Sequence, residues 1–344
     1  MWLVPALRFP EFSGEWDEYA IGEILSIGNG RDYKHLHNGD IPVFGTGGYM
    51  TSVDDFLYDG ESVFVGRKGT INKPLYYNGK FWTVDTLFYT YNFTDVLPKF
   101  VYCLFQTINW LKYNEASGVP SLSKATIEKI KVRIPSMDEQ DKLSNLLFLL
   151  DKRIEVQNKI IEKLETLIKG IIETVISLQK PNTFIKDCLE CNSSILQESQ
   201  VAEYGASPVY GATGITGYTE AADVNGESIL IIKDGSGVGT VKYVTGEYSY
   251  IGTLNRLIAK DGYYLKYIYF ALQGFSFEPY KTGMAIPHIY FKDYGKAKIF
   301  CPTIGKQSAI AQKLSSTEDK VSVEKQILFY YQVQKSYLLS QMLI

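Results

Sequence analysis

Basic, polar and aromatic side chains lie in glycine-rich and turn-rich segments of both halves of the sequence, and these are residue types that contact nucleic acids. Arginine and lysine pair with phosphates or guanine edges, asparagine pairs with adenine, and tyrosine packs on sugars and bases. Taken singly, each is more often a solvated loop residue. The candidate contacts are Arg31, Tyr33, Lys34, His35, Arg67, Lys68, Asn72 and Lys73 in the first half and Lys233, Ser236, Lys242, Tyr243, Asn255 and Arg256 in the second.

The sequence lacks the motifs that would make these residues part of an enzyme. It has no Gly-x4-Gly-Lys-Ser/Thr loop, no His-Glu-x-x-His, no Gly-x-Ser-x-Gly and no Asn-Pro-Pro-Tyr. The segment Gly235-Ser-Gly-Val-Gly239 resembles a nucleotide loop, but its spacing favours a tight hairpin that needs glycine dihedrals. Three histidines leave little room for histidine catalysis or metal binding. No catalytic residue and no metal ligand is therefore predicted.

Length and composition indicate an ordinary globular protein of about two domains, with 344 residues that are 45% hydrophobic and 21% charged. The net charge of −3 argues against a uniformly basic chain but leaves local basic patches open. No segment approaches the roughly 20 apolar residues of a membrane span, so we expect a cytoplasmic protein without a membrane partner. The single Cys188-x-x-Cys191 pair has no second pair to complete a zinc site.

The sequence repeats itself at a distance of 166 to 167 residues. This period exceeds that of solenoid units and predicts two copies of one whole domain with an appended segment. The matching segments are Ile41-Pro-Val-Phe-Gly-Thr-Gly-Gly48 with Ser207-Pro-Val-Tyr-Gly-Ala-Thr-Gly214, Gly60-Glu-Ser-Val-Phe64 with Gly226-Glu-Ser-Ile-Leu230, Thr86-Leu87 with Thr253-Leu254, Pro120 with Pro287, Pro135 with Pro302, and Gln140 with Gln307.

Each copy begins with a β-rich region. Short β-branched and aromatic runs at 62–65, 81–84 and 87–91 predict strands, and Tyr58-Asp-Gly60 and Tyr77-Asn-Gly79 predict turns between them. An apolar stripe predicts a helix over residues 98–114, which the second copy repeats over residues 264–273.

Each copy ends in a long amphipathic helix with apolar residues at alternating steps of four and three. A helix of residues 138–178 would be about 60 Å long, so it needs a partner along its length. The equivalent helix of the second copy supplies one. Its seam positions Thr317 and Lys335 are polar, whereas Gln157 and Glu324 form one equivalent polar position. The predicted seam consists of Leu143, Leu147, Leu150, Ile154, Gln157, Ile161, Leu164 and Ile168, continued by Ile171 and Val175, with Ile310, Leu314, Val321, Glu324 and Leu328 in the second helix, continued by Tyr331, Leu338 and Met342.

The sequence therefore predicts an α+β protein with a pseudo-twofold internal repeat. Two β-rich mixed domains, residues 1–136 and 181–303, are joined by two long helices, residues 137–180 and 304–344, packed as an antiparallel coiled coil. A dumbbell is the expected shape. The alternative for the first helix is an ordinary core helix of a single domain, since apolar stripes usually mean burial.

The order of these features resembles the specificity subunit of type I restriction-modification systems, and the resemblance covers essentially the whole chain. The second copy departs from the pattern where Lys306 replaces the glutamate of the Glu-Gln step. The residues that carry the resemblance are Phe12 to Ile24, the turn Gly118-Val-Pro-Ser-Leu122, the approach Ile127 to Pro135, Glu139-Gln140 and Leu150-Asp-Lys-Arg-Ile154, with Gly283-Met-Ala-Ile-Pro-His-Ile289 and Gln307 in the second copy.

This resemblance implies two target recognition domains that each contact one half of a split, asymmetric sequence in double-stranded DNA. It implies a chain that is catalytically silent and binds no cofactor itself. Two methyltransferase subunits with S-adenosylmethionine, and motor-nuclease subunits with ATP and Mg²⁺, would supply the chemistry. The alternatives are a coiled-coil protein-binding adaptor that does not bind DNA, favoured by the acidic net charge, and an enzyme such as a nuclease fused to a recognition domain.

Overall fold

The computed structural model describes residues 4–343, which form two compact units. The first unit contains the described residues up to Asn158 and again from Gln326, and the second runs from Lys159 to Lys325. Both long helices therefore contribute to both units. Among the described residues, no helix is both long enough and apolar enough to cross a membrane.

The first unit is built on a six-stranded mixed sheet with the strand order β2-β7-β5-β6-β3-β4, beside a two-stranded sheet of β1 and β8. Its elements are β1 (Asp17–Ala20), α1 (Ile21–Ile24), β2 (Ser26–Asn29), β3 (Asn38–Gly45), β4 (Gly48–Val53), β5 (Tyr58–Gly66), β6 (Leu75–Thr83), β7 (Leu87–Tyr91), α2 (Pro98–Phe105), a 3-10 turn (Trp110–Tyr113), α3 (Lys124–Glu128), β8 (Lys131–Ile134) and the start of α4 (Met137–Ile171).

The second unit repeats this topology with its main sheet divided into two four-stranded sheets, β10-β17-β14-β15 and β12-β11-β16-β13, beside a two-stranded sheet of β9 and β18. Its elements are a π-helical turn (Ile172–Ser177), β9 (Thr183–Phe184), α5 (Ile185–Cys188), β10 (Leu189–Ser193), a 3-10 turn (Glu198–Gln200), β11 (Ser207–Gly211), β12 (Gly214–Thr219), β13 (Val224–Asn225), β14 (Ser228–Ile232), β15 (Val241–Val244), β16 (Glu247–Tyr250), β17 (Leu254–Ala259), α6 (Leu265–Gln273), a 3-10 turn (Glu278–Tyr280), α7 (Phe291–Tyr294), β18 (Lys298–Ile299) and α8 (Ile304–Met342), whose second half belongs to the first unit.

Two turns predicted from the sequence are wrong. Gly60 and Gly79 lie inside β5 and β6 and pair with each other in the antiparallel register. Their φ angles of 144° and 127° are ones that side-chain-bearing residues rarely adopt, so glycine suits both of these paired positions. In the second unit the chain is interrupted at the equivalent place, near Gly226 and Gly246, which divides the sheet.

The helix predicted over residues 98–114 is also too long. α2 ends at Phe105, and the Trp110 indole N–H, which is buried, donates to the Phe105 carbonyl (2.8 Å) across the break. The chain then continues as a short 3-10 turn. Its counterpart α6 agrees with the sequence prediction to within one residue.

In the first unit the long helices run antiparallel. Leu143 and Leu147 of α4 lie in one buried cluster with Met342 near the end of α8. One turn further along α4, the Asp151 carboxylate forms an ion pair with Lys335, whose ammonium also donates to Gln106 (2.7 Å). Lys335, a polar residue at a predicted seam position, is therefore paired.

In the second unit the helices are again antiparallel. Glu165 of α4 forms an ion pair with Lys325 (2.7 Å), and the end of the first helix shares a buried cluster with Leu314, near the start of α8. The π-helical turn changes the face at this end, because its wider turn rotates the following side chains. Ile172 and Ile176 are buried, whereas the predicted seam residue Val175 is exposed.

Two buried glutamines connect the start of each long helix to its own domain. The Gln140 side-chain oxygen accepts from the Leu97 N–H (2.8 Å), and that of Gln307 accepts from the Tyr264 N–H (3.0 Å). Each amide group also donates to the carbonyl of the proline five residues upstream (2.9 and 2.8 Å). The repeat thus extends to single hydrogen bonds.

Candidate functional site

Connecting segments of the first unit are joined to one another by main-chain hydrogen bonds. Two of these bonds end on the segment that joins β6 to β7. The Arg31 N–H donates to the Thr83 carbonyl, and the Arg67 N–H donates to the Thr86 carbonyl (both 2.8 Å). The carbonyl of Arg67 then accepts from the N–H of Leu122 (2.9 Å). We call residues 30–37, 66–73, 83–86 and 114–122 the first loop surface.

The second unit has the same arrangement at the equivalent residues. The Lys233 N–H donates to Thr253 (3.0 Å), and the Ile289 N–H donates to Lys233 (2.9 Å). Gly235 donates to Pro287 (2.9 Å), as its first-unit counterpart donates to Pro120. We call residues 194–197, 233–240, 250–253 and 282–289 the second loop surface. The motif that resembles a nucleotide loop lies here as a hairpin, with φ angles of 92°, 81° and 91° at its three glycines.

The first loop surface contains all eight candidate contacts of the first half. Tyr33 is half-buried against the small core around Trp82. The His35 ring lies 5.8 Å from the Trp82 ring, and the Arg67 guanidinium lies 5.9 Å from the Phe88 ring. The exposed members are Arg31, Lys34, His35, Arg67, Lys68, Asn72 and Lys73.

The first loop surface is positively charged. It carries five arginines and lysines against three carboxylates, those of Asp32, Asp85 and Glu115. Within residues 4–343, none of these five cations has a carboxylate within ion-pair distance. Burial raises the pKa of Tyr89, the neighbouring Tyr91 adds to this, and the charge of Arg31 opposes it. Unpaired guanidinium and ammonium groups on a shared surface can bind phosphates or accept guanine edges as partners.

The second loop surface contains only two of the six candidates of the second half. Ser236 is exposed, whereas Lys233 is half-buried with its ammonium 3.7 Å from the Asp234 carboxylate. The exposed apolar residues of this surface were not singled out from the sequence. Met284 is fully exposed, and Ile195 and Ile286 are 97% and 66% exposed. No periodic pattern marks such residues, because they belong to loops.

The other four candidates of the second half lie on strands outside this surface. Asn255 is only 5% exposed, and its side-chain oxygen accepts from the Ser193 hydroxyl (2.8 Å). The Arg256 Nε donates to the buried Ser228 hydroxyl (2.7 Å). Lys242 and Tyr243 lie on β15, where Lys242 covers the Tyr210 ring (4.6 Å) and the Tyr243 hydroxyl donates to Glu227. Burial, followed by this hydrogen bond, raises the pKa of Tyr243.

The cysteines and histidines show no arrangement of metal ligands within the described part of the chain, where no group of three His, Cys, Asp or Glu side chains could hold an ion. The Cys188 thiol donates to the Ile185 carbonyl (3.3 Å), and its interaction with the Cys301 thiol, followed by burial, raises its pKa. Burial raises the pKa of Cys191 to about 11, with Lys233 opposing it.

A family model described as the type I restriction modification DNA specificity domain matches this chain twice, over residues 13–166 and 182–329. The chain therefore belongs to the family of type I restriction-modification DNA specificity proteins, and the resemblance noted in the sequence is confirmed. Each match covers one copy of the repeat. No curated protein sequence matches the chain significantly.

Solved structures give the same fold. The chain is similar to the S subunit of the type I restriction-modification system from M. genitalium, with 18% identity, a TM-score of 0.77 and 99% of both chains covered. It is also similar to a chain from a study of complex assembly and conformational transition of the type I R-M system, with 12% identity, a TM-score of 0.54, and 95% and 97% coverage. The predicted fold of two β-rich mixed domains and two long helices is confirmed.

Proposed function

We propose that this chain recognises a bipartite, asymmetric sequence in double-stranded DNA, with one loop surface contacting each half-site. The observation that carries the proposal is the pair of loop surfaces, which share the same main-chain hydrogen bonds but present different side chains. A repeated scaffold with different contact groups suits two different half-sites. The separate match of the specificity-domain model to each copy supports this division.

The first loop surface supplies the clearer DNA chemistry. The main-chain N–H groups of Arg31 and Arg67 both donate to the segment between β6 and β7. Their side chains are exposed, and neither is paired with any described carboxylate. Each guanidinium can form a bidentate pair with the O6 and N7 atoms of guanine, or can bind a phosphate. Lys34, Lys68 and Lys73 add positive charge, and their ammonium groups can pair with phosphates of the DNA backbone. The buried Asn255 is left out of the proposed interface.

We further propose that the chain docks two methyltransferase subunits and motor-nuclease subunits, and that these partners, rather than this chain, catalyse the reactions. The methyltransferases would bring S-adenosylmethionine, and the motor-nuclease subunits would bring ATP and Mg²⁺. The contribution of this chain is then to hold the duplex in register while a partner modifies an adenine taken out of the stack.

The long helices are proposed to set the spacing between the half-sites. Half-sites on one face of B-DNA lie about 34 Å apart or at a multiple of this distance, so a rigid helical connection would convert helix length into base-pair spacing. Insertion of four residues after Gln157, about one helical turn, should change the spacing or prevent assembly. Unchanged spacing together with unchanged stability would contradict this part of the proposal.

The decisive experiment is co-expression with the methyltransferase subunit from the same genome in a host without DNA methylation, followed by base-resolution mapping of methylated adenines. A split, asymmetric motif that requires both chains supports the proposal. If the two chains co-purify and the partner binds its methyl donor, but no motif appears, a protein-binding adaptor is the better description. Binding to DNA should also fall steeply as salt rises, because each phosphate contact releases counterions.

A further inference from the structure

Three exposed apolar side chains, Ile195, Met284 and Ile286, lie on segments that are pinned together in the second loop surface. The Leu196 carbonyl accepts from the Gly252 N–H (2.8 Å), in the same turn that anchors the hairpin after β14. That hairpin in turn bonds to the segment that contains Met284 and Ile286. Within the described residues, the rest of the fold leaves these three side chains uncovered. Exposed apolar side chains that gather on one surface mark an interaction site more often than singly scattered ones do.

The segment that carries Met284 is a closed loop and not a loose connection. Thr282 and His288 exchange two main-chain hydrogen bonds (2.9 and 2.8 Å) at its base. Gly283 has a φ of 87°, and a Cβ there would lie 2.3 Å from the Ile286 carbonyl oxygen. The side chains at its tip are therefore presented in a defined direction, which reduces the conformational entropy lost on binding.

The equivalent positions of the first loop surface carry one cation, Arg31 in place of Ile195, and the exposed Val119 in place of Ile286. β2 and β10 pair in the same register with the equivalent strands β7 and β17, and Arg31 and Ile195 each stand two residues beyond the last paired residue. At the next equivalent position, Lys68 is replaced by Asp234. The second loop surface has no arginine, and its one lysine lies beside that aspartate.

Such a surface keeps polar side chains such as the exposed Ser236, which can form a hydrogen bond with a base, but it has no arginine and its lysine lies beside Asp234. It therefore lacks the bidentate cationic donor that most often pairs with the O6 and N7 atoms of guanine. It also lacks the arginines that bind a narrow minor groove. The one apolar group on the base edges of the major groove is the C5 methyl of thymine, which apolar side chains contact.

We propose that Met284 and Ile286, with Ile195, recognise thymine methyl groups in the half-site of the second unit. This inference rests on the proposed function and adds to it the base feature that the second loop surface contacts. It predicts that the two half-sites differ in kind. The first would be distinguished by hydrogen bonds to guanine and the second by apolar contacts to thymine.

Replacement of thymine by deoxyuridine tests this directly, because it removes the methyl group and keeps the base pair. The purified complex with its methyltransferase subunit is measured by fluorescence anisotropy on the mapped target and on duplexes in which each thymine of either strand is replaced in turn. We expect at least one replacement in one half-site to weaken binding about fourfold, the effect of one buried methylene-sized group. Met284→Ala and Ile286→Ala should weaken binding to the thymine duplex and lose the response to that replacement.

Two variants of the first loop surface serve as matched controls. Val119→Ala truncates the exposed residue equivalent to Ile286, and Arg67→Ala removes a proposed contact; both should retain the full response to deoxyuridine. Equal binding to every deoxyuridine duplex, or an unchanged response in both Met284→Ala and Ile286→Ala, would overturn the inference while leaving specific binding intact.

Two other outcomes identify different failures. A wild-type complex that does not prefer its mapped target over a scrambled duplex would contradict the proposed function and the inference together. Loss of the methyltransferase subunit from Met284→Ala during purification, with unchanged DNA affinity in the complex that remains, would make the loop a protein-docking surface and the inference wrong.

Discussion

The two loop surfaces are alike in their main chain and unlike in their side chains. In both, the residue after β5 or β14 donates to the threonine of the next turn, and a proline carbonyl accepts from the glycine two residues further on. The first surface then presents five arginines and lysines, whereas the second presents one lysine beside an aspartate and three exposed apolar groups. The comparison teaches that this fold separates the main-chain groups that hold the loops together from the side chains proposed to contact DNA.

The largest expected difference between the two copies lies at the start of the long helices. Arg8 pairs with Glu139 through two hydrogen bonds of 2.8 Å, and the carboxylate is only 1% exposed, whereas the equivalent Lys306 is exposed. Arg8→Ala leaves a buried unpaired charge and should cost about 3 kcal/mol of unfolding free energy. Lys306→Ala should change it by less than ~0.5 kcal/mol. Urea denaturation of both variants measures this.

A third variant distinguishes loss of the ion pair from loss of packing. Arg8→Ala combined with Glu139→Gln removes the unpaired charge and should recover part of the stability. If the double variant is as unstable as Arg8→Ala alone, the ion pair is not the reason for the loss.

The next largest effect concerns a feature that the copies share. Gln140 makes three side-chain hydrogen bonds, including one from its amide group to Asp95 (3.1 Å), and Gln307 makes two. Gln140→Ala should cost about 2 kcal/mol because buried main-chain groups lose their partners, and Gln307→Ala slightly less. Thermal unfolding should show the change, with Gln332→Ala on the exposed face of α8 as the control. Equal stability of all three variants would contradict the role of these glutamines.

Single substitutions on the loop surfaces should have smaller effects, confined to binding. Arg67→Ala should cost roughly 1–3 kcal/mol in DNA affinity, and relaxed specificity at one base pair would identify a base contact. Lys233→Ala should cost less than ~1 kcal/mol, because Asp234 already partly neutralises this lysine. Binding isotherms of both variants on the mapped target and on single-base variants of the target measure these losses and show whether specificity is relaxed at one base pair. Equal losses of DNA affinity for the two variants would contradict the proposal that the two loop surfaces differ in their charged contacts to DNA.

The smallest expected effect is on a thiol beside the second loop surface. Burial raises the pKa of Cys191 to about 11, and the charge of Lys233 opposes this rise. Alkylation of Cys191 at pH 8 should therefore be slow, and Lys233→Ala should slow it further, since only the thiolate reacts. Site-resolved mass spectrometry measures the rate. Faster alkylation in Lys233→Ala would show that the lysine shields the thiol rather than favouring its ionised form.

The repeat made most of the fold predictable from the sequence. Segments that recur in order must fold alike, so the two domains, the two long helices and the hairpin at residues 235–239 could be predicted. Local sequence signals gave wrong predictions at positions where tertiary packing determines the backbone conformation. Asp-Gly and Asn-Gly pairs usually mark turns, yet Gly60 and Gly79 lie opposite each other inside two paired strands. The π-helical turn at residues 172–177 has no such signal, so the buried face after Ile168 could not be predicted.

The exposure of the candidate residues could be predicted only where it follows from chain position. In the first copy seven of the eight candidates lie exposed in loops, as their turn-rich segments predict. In the second copy Asn255 follows a turn closely but belongs to a central strand, where its side chain is buried. Ile195 and Met284 are apolar, and residue type alone assigns such side chains to a core.

The main-chain anchors of the loop surfaces have a consequence for how these proteins change. Because the anchoring atoms are the amide N–H and carbonyl groups that almost every residue carries, the side chains beside them can be exchanged without removing a single tie. Arg31 in one copy and Ile195 in the other are then alternative side chains at equivalent positions of the same main-chain arrangement. Under the proposed function, mutation would alter the preferred DNA sequence in small steps, each of which leaves a folded protein for selection to act on.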